Sequence, residues 1–154
     1  MFHHIVALLF ALLFAVAVRA DGETWSDLTR EAHQAEREGR YAPAKELLTK
    51  ALIESDRFEI TDPRRLETRV QLAGVLLELG EYARCKQICT ESIGDGNAQN
   101  AEMLLQITQA EQILSRLYLD LGMSRLADDH CRRGLEICQS VRDVGDPDVA
   151  DSDR

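Results

Sequence analysis

Leu72–Cys85, with the sequence LAGVLLELGEYARC, is the stretch that decides the fold. Leu72, Ala73, Leu76, Leu77 and Leu79 recur at helical spacing up to Gly80. Beyond it a second helical pattern begins with Tyr82, Cys85, Ile88, Cys89, Ser92 and Ile93. Glycine takes the left-handed backbone conformation that closes a helix, so Gly80 predicts a tight turn between two helices.

The same arrangement occurs twice more. Gly39 lies 41 residues before Gly80, and Gly122 lies 42 residues after it. Aligned on these glycines, three columns hold small residues throughout. Seven before the glycine stand Ala32, Ala73 and Ser115; five after it, Ala44, Cys85 and Ala127; twelve after it, Ala51, Ser92 and Gly134. Helices that cross closely need short side chains at the crossing. Larger residues fill neighbouring columns: Ala35, Leu76 and Tyr118 four before, and Leu52, Ile93 and Leu135 thirteen after. The aromatic two after the glycine, Tyr41 and Tyr82, is replaced by Ser124 in the third copy. A period of this size means a stack of like supersecondary units.

The pattern resembles the tetratricopeptide repeat. It stands as Ala32…Gly39-Arg40-Tyr41…Ala44…Ala51 and Ala73…Gly80-Glu81-Tyr82…Cys85…Ser92, with a degenerate third copy around Gly122 and Ala127. The usual family period is about 34 residues; the longer one here looks like the kinesin-light-chain type, with an extended connection at Asp56–Asp62. The resemblance implies an all-α fold, a right-handed superhelical stack of three antiparallel helix-turn-helix repeats. These would span about 25–58, 64–94 and 100–141 within a domain of residues 21–141. It also implies that the first helix of each pair lines a groove for a protein or peptide partner. By register the groove offers Arg30, His33 and Arg37, then Val70 and Gln71, then Ile113 and Arg116, with Thr29, Gly74, Glu78, Gln112 and Asp120 beside them, and Leu77 would add apolar contact with Val70 and Ile113. The arginines would pair acidic groups of the partner. Some members clamp a C-terminal carboxylate with Lys and Asn at fixed groove positions; Thr29, His33, Gln71, Gln109 and Ile113 stand there, so that specialisation is not supported.

The ends differ from the repeats. Ile5–Val18 is an unbroken apolar run, too short for the ~20 residues that span a bilayer. Val18-Arg19-Ala20 suits signal-peptidase cleavage, so residues 1–20 read as a signal peptide. The mature chain would start at Asp21 in a secreted or periplasmic setting, with no membrane contact beyond export. Losing Arg19 leaves 17 basic against 27 acidic residues, a net charge near −10. That excludes nucleic acid, whose phosphates need a basic face. Residues 142–154, rich in Asp, read as a disordered acidic tail. Their spacing departs from a calcium loop: counting from Asp143, the sixth and twelfth places hold Asp148 and Arg154.

No catalytic constellation or phosphate-cradling loop is present, and no cofactor is implied. Cys85 and Cys89 sit one turn apart and Cys131 and Cys138 two turns apart, poor geometry for bridging within either pair. Buried packing thiols are expected for most of the four, with a disulfide between the second and third hairpins as the rival. Cys85, Cys89, His130 and Cys131 form a weak zinc candidate that fits no short zinc signature. A cysteine-based redox or metal-binding protein of the cell envelope is therefore the alternative to a non-enzymatic binding scaffold. No capping helix follows the third repeat, so Leu135, Ile137, Cys138 and Val141 would stay partly exposed. That open end suggests a homo-oligomer or docking to another protein.

Overall fold

The computed structural model describes residues 24–94 and 100–145, which form six α-helices and no strand. These are α1 (Trp25–Arg37), α2 (Tyr41–Ser55), α3 (Pro63–Glu78), α4 (Tyr82–Gly94), α5 (Ala101–Asp120) and α6 (Ser124–Gly145). The protein is all-α, as expected. The signal-peptide reading of residues 1–20 lies outside the described residues, as does the tail beyond Gly145. One boundary moves: α6 runs on to Gly145, so the first residues of the expected tail are helical.

The three glycines make the same turn. Gly39, Gly80 and Gly122 have φ of 70°, 72° and 71°. Each donates its N–H to the carbonyl three residues back: Glu36 at 2.9 Å, Leu77 at 3.0 Å and Leu119 at 2.9 Å. The next residue donates to the carbonyl five back: Arg40 to Ala35, Glu81 to Leu76 and Met123 to Tyr118, at 2.8, 2.9 and 2.7 Å. These bonds satisfy carbonyls that a helix end leaves without partners. The carbonyls of Arg40, Glu81 and Met123 then accept from Ala44, Cys85 and Ala127, opening the following helix. The chain is thereby folded into three helical hairpins, α1–α2, α3–α4 and α5–α6.

Close packing within the hairpins follows from the small columns. Ala32, Ala73, Ala44, Cys85, Ala51 and Ser92 are fully buried, and Ala127 and Gly134 are buried too. Across the last hairpin Ser115 Oγ donates to the Ala127 carbonyl at 2.9 Å. Leu48, Leu72, Leu76, Leu114 and Leu117 fill the space around these crossings. Each helix packs on the next in sequence, and α3 also packs on α5. The degenerate columns behave as their residues require: Glu31 is exposed where Leu72 and Leu114 are buried, and Leu135 is 59% exposed.

The hairpins are joined by capped starts. Thr24, Asp62 and Asn100 each accept a backbone N–H of the first turn of α1, α3 and α5, and Pro63 occupies the first turn of α3, where its missing N–H costs nothing. An aromatic clasp ties the first hairpin to the second. Trp25 Nε1 donates to the fully buried Thr68 hydroxyl at 2.8 Å. Phe58, from the connection, meets the Trp25 ring edge-on at 5.8 Å, and the Arg64 guanidinium lies 3.7 Å from the Phe58 ring centroid. Lys45–Glu81, at 2.7 Å, links the same two hairpins.

A methyl group built on Gly80 meets nothing within 4 Å, so only its backbone conformation resists substitution. Gly80→Ala should destabilise the chain by about 1–2 kcal/mol through the left-handed φ alone, and Gly80→Asn by less. Urea unfolding followed by circular dichroism measures both.

Candidate functional site

The face of α3 that turns away from α4 carries Val70, Gln71, Gly74, Leu77 and Glu78. With Gln109, Gln112, Ile113 and Arg116 of α5 and Glu36 of α1 they line a cleft of about 430 Å³. Its floor is apolar, with Val70 and Leu77 almost fully buried. Gly74 keeps it open: a methyl there would touch only Ile113 Cδ1, at 3.9 Å. A second, smaller cleft of about 370 Å³ adjoins it, lined by Glu36, Arg37, Tyr41, Gly74, Val75 and Glu78.

Most residues assigned to the groove by register meet here. Val70, Gln71, Leu77, Ile113 and Arg116 share the larger cleft, and Arg37 lines the smaller. His33 stands at the edge, its Nε2 3.3 Å from Gln71 Nε2. Arg30 lines neither cleft and instead pairs with Asp27 on its own helix at 2.8 Å. Thr29 is buried, its hydroxyl donating to the Trp25 carbonyl. The arginines also differ from expectation in their bonding. Arg116 already pairs with Glu78 at 2.7 Å, and Arg37 donates to Gln34. Each of these guanidiniums has a partner within the chain: Asp27 and Gln34 at helical spacing for Arg30 and Arg37, and Glu78 on α3 for Arg116.

The polar groups left without partners are acceptors. Glu36 Oε1 and Gln71 Oε1 are both buried with no hydrogen bond. The Gln71 amide donates to Glu67 at 3.0 Å, leaving only its oxygen over. Burial pushes the Glu36 carboxyl above its usual range, and nearby His33 only partly opposes this. Burial raises Glu67 likewise, against a smaller opposing pull from His33. Glu36 was not among the positions that the glycine register assigned to a groove. A signal did exist: it stands three before the turn glycine, where the other copies have Leu77 and Leu119.

A second polar cluster lies between α5 and α6. Glu111 is only 2% exposed, and its Oε2 lies 2.6 Å from His130 Nδ1. The Tyr118 ring stacks on His130 at 5.3 Å. His130 occupies a column filled by Leu47 and Ile88 in the earlier hairpins, which marks it as the exception. Gly134 gives Glu111 room, since a methyl there would meet Glu111 Cβ at 3.6 Å. The pair fills a core position with a closed hydrogen bond and opens onto neither cleft.

All four thiols are free. Cys85 and Cys89 are buried as expected, and a hydrogen bond to Cys85 together with burial pushes the Cys89 thiol far up. Cys131 corrects the expectation of buried packing thiols. It shares a column with the buried Leu48 and Cys89, yet it is exposed, because no described helix covers α6 on that side. Cys138 is half-buried, its Sγ 3.9 Å from the Thr108 hydroxyl. The zinc candidate does not assemble: among the described residues no three His, Cys, Asp or Glu side chains are grouped to hold a metal ion. No helix of the described residues is long and apolar enough to cross a membrane.

No protein-family model matches the chain, and no curated protein or solved structure matches it either.

Two outcomes follow from these environments. A carboxyl raised by burial binds its proton more tightly in the folded than in the unfolded chain. Ionising Glu36 therefore costs stability, a cost absent below the usual value of 4.5 and complete above the raised one. Glu36→Gln should melt higher than the parent near pH 7 and lose that advantage near pH 3, read by thermal denaturation at both. Thiol labelling under native conditions should modify Cys131 first and Cys138 more slowly. Cys85 and Cys89 should react only on unfolding, as peptide mapping by mass spectrometry would read out.

Proposed function

We propose that the chain is a non-enzymatic scaffold of the tetratricopeptide type, a right-handed superhelical stack of three repeats that binds a segment of another protein. The bound segment lies along the first helices of the hairpins, over Val70, Gln71, Leu77, Ile113 and Arg116. One observation carries this reading. Val70, Gln71, Ile113 and Arg116, assigned purely from the glycine register, line a single open cleft between α3 and α5. The three identical glycine turns support the repeat reading from which that register comes.

The remaining features are consistent with such a role. The mature chain's acidity disfavours nucleic acid as a partner. The amino-terminal apolar run suits export, to a secreted or periplasmic location. The third hairpin exposes Leu119, Leu121, Met123, Leu126 and Leu135, an apolar surface suited to a second copy or to a larger partner.

Gly74→Trp tests the cleft, because the indole would fill the space that the glycine leaves. On an array of overlapping peptides the unmodified chain should retain a defined subset. The variant should bind the same peptides about tenfold or more weaker, with an unchanged helical circular dichroism spectrum. Equal retention by both proteins would move the site elsewhere.

A further inference from the structure

We infer that the cleft selects a lysine side chain in the segment it binds, an inference that rests on the groove reading above. The polar groups around the cleft divide unevenly. Its cation, Arg116, is held by Glu78 at 2.7 Å. The nearby His33 ring is engaged by Gln71. Arg37, in the adjoining cleft, donates to Gln34. What remains unmet is one carboxylate oxygen, on Glu36, and one amide oxygen, on Gln71. Both residues line the same cleft.

Two buried acceptors without donors are costly, and a buried charge without a counter-charge more so. A carboxylate or phosphate would bring further acceptors and add to the imbalance. A neutral donor would satisfy the oxygens and leave the Glu36 charge unopposed. An ammonium does both, with three donors on a compact cationic head. The apolar lining supplies the other half of the fit. Val70, Leu77 and Ile113 offer a wall for an aliphatic stem, and Gly74 leaves the passage unobstructed. A lysine side chain is such an object: four methylenes that pack on apolar surface, ending in an ammonium. The raised Glu36 carboxyl agrees with this geometry, since a cation beside it would restore the ionised form.

The test titrates two acetylated, amidated pentapeptides, Ala-Leu-Lys-Leu-Ala and its norleucine analogue, into the ¹⁵N-labelled chain. The lysine peptide should move the amide resonances of Val70–Glu78 and Gln112–Arg116. Its Kd should be about tenfold below that of the norleucine peptide, as expected for one charge-assisted hydrogen bond. Glu36→Gln should erase this difference, the two peptides then binding alike, with an unchanged helical circular dichroism spectrum. In the parent chain the lysine peptide should also lower the pH at which the Glu36 carboxyl carbon titrates. Equal affinity of the two peptides at the cleft would overturn the lysine preference and leave the groove reading standing. Undisturbed cleft amides with both peptides would overturn the groove reading and this inference with it.

Discussion

The residue that follows each turn glycine belongs to two helices at once. In Arg40, Glu81 and Met123 the N–H closes the helix before, and the carbonyl opens the helix after. That arrangement requires the preceding residue to sit at φ near +70°, where a side chain would be strained. With both helices hydrogen-bonded to one residue, their relative direction has little freedom. The columns seven before and five and twelve after the glycine are then brought together. Only small residues let the backbones approach that closely, and Ala32, Ala44 and Ala51 set the spacing that the second and third hairpins repeat.

The cleft is a consequence of this spacing and not a separate construction. α3 packs on α4 through one face and on α5 through another, which leaves a third face beside α1 and α5. Where Gly74 interrupts that face there is space, and Val70 and Leu77 beneath it remain apolar because they also serve the core. Its charges then sort themselves locally. Two long basic side chains, Arg30 and Arg116, reach nearby carboxylates, whereas Glu36, half-buried at the meeting of both clefts, keeps one carboxylate oxygen without a hydrogen bond.

The fold was legible because its determinants are periodic. Glycine spacing and small columns report directly on backbone conformation and helix separation, and both are properties that a single chain can display three times. The cleft positions Val70, Gln71, Ile113 and Arg116 were legible for the same reason. What escaped were departures from the period. Glu36 stands in a leucine column and His130 in an apolar one, so each draws its meaning from neighbours that differ in every copy. The bonding of Arg30, Arg37 and Arg116 escaped because a long side chain chooses among several acceptors, and register alone does not rank them. Cys131 escaped because burial of a repeat column depends on whether a further helix lies over it.

The helices also differ in where their first turn gets its support. α1, α3 and α5 carry side-chain caps of their own in Thr24, Asp62 and Asn100, whereas α2 starts from Arg40 with no side-chain cap. The bends are therefore rigid in length: an added residue at Gly39 would separate Arg40, which starts α2, from the Ala35 carbonyl that closes α1. The seam between α2 and α3 has no such bond to lose, because Asp62 restarts the helix wherever the chain delivers it. Tolerance to insertion thus alternates along the molecule, and added length can gather at a seam such as Asp56–Asp62 while every bend keeps its form.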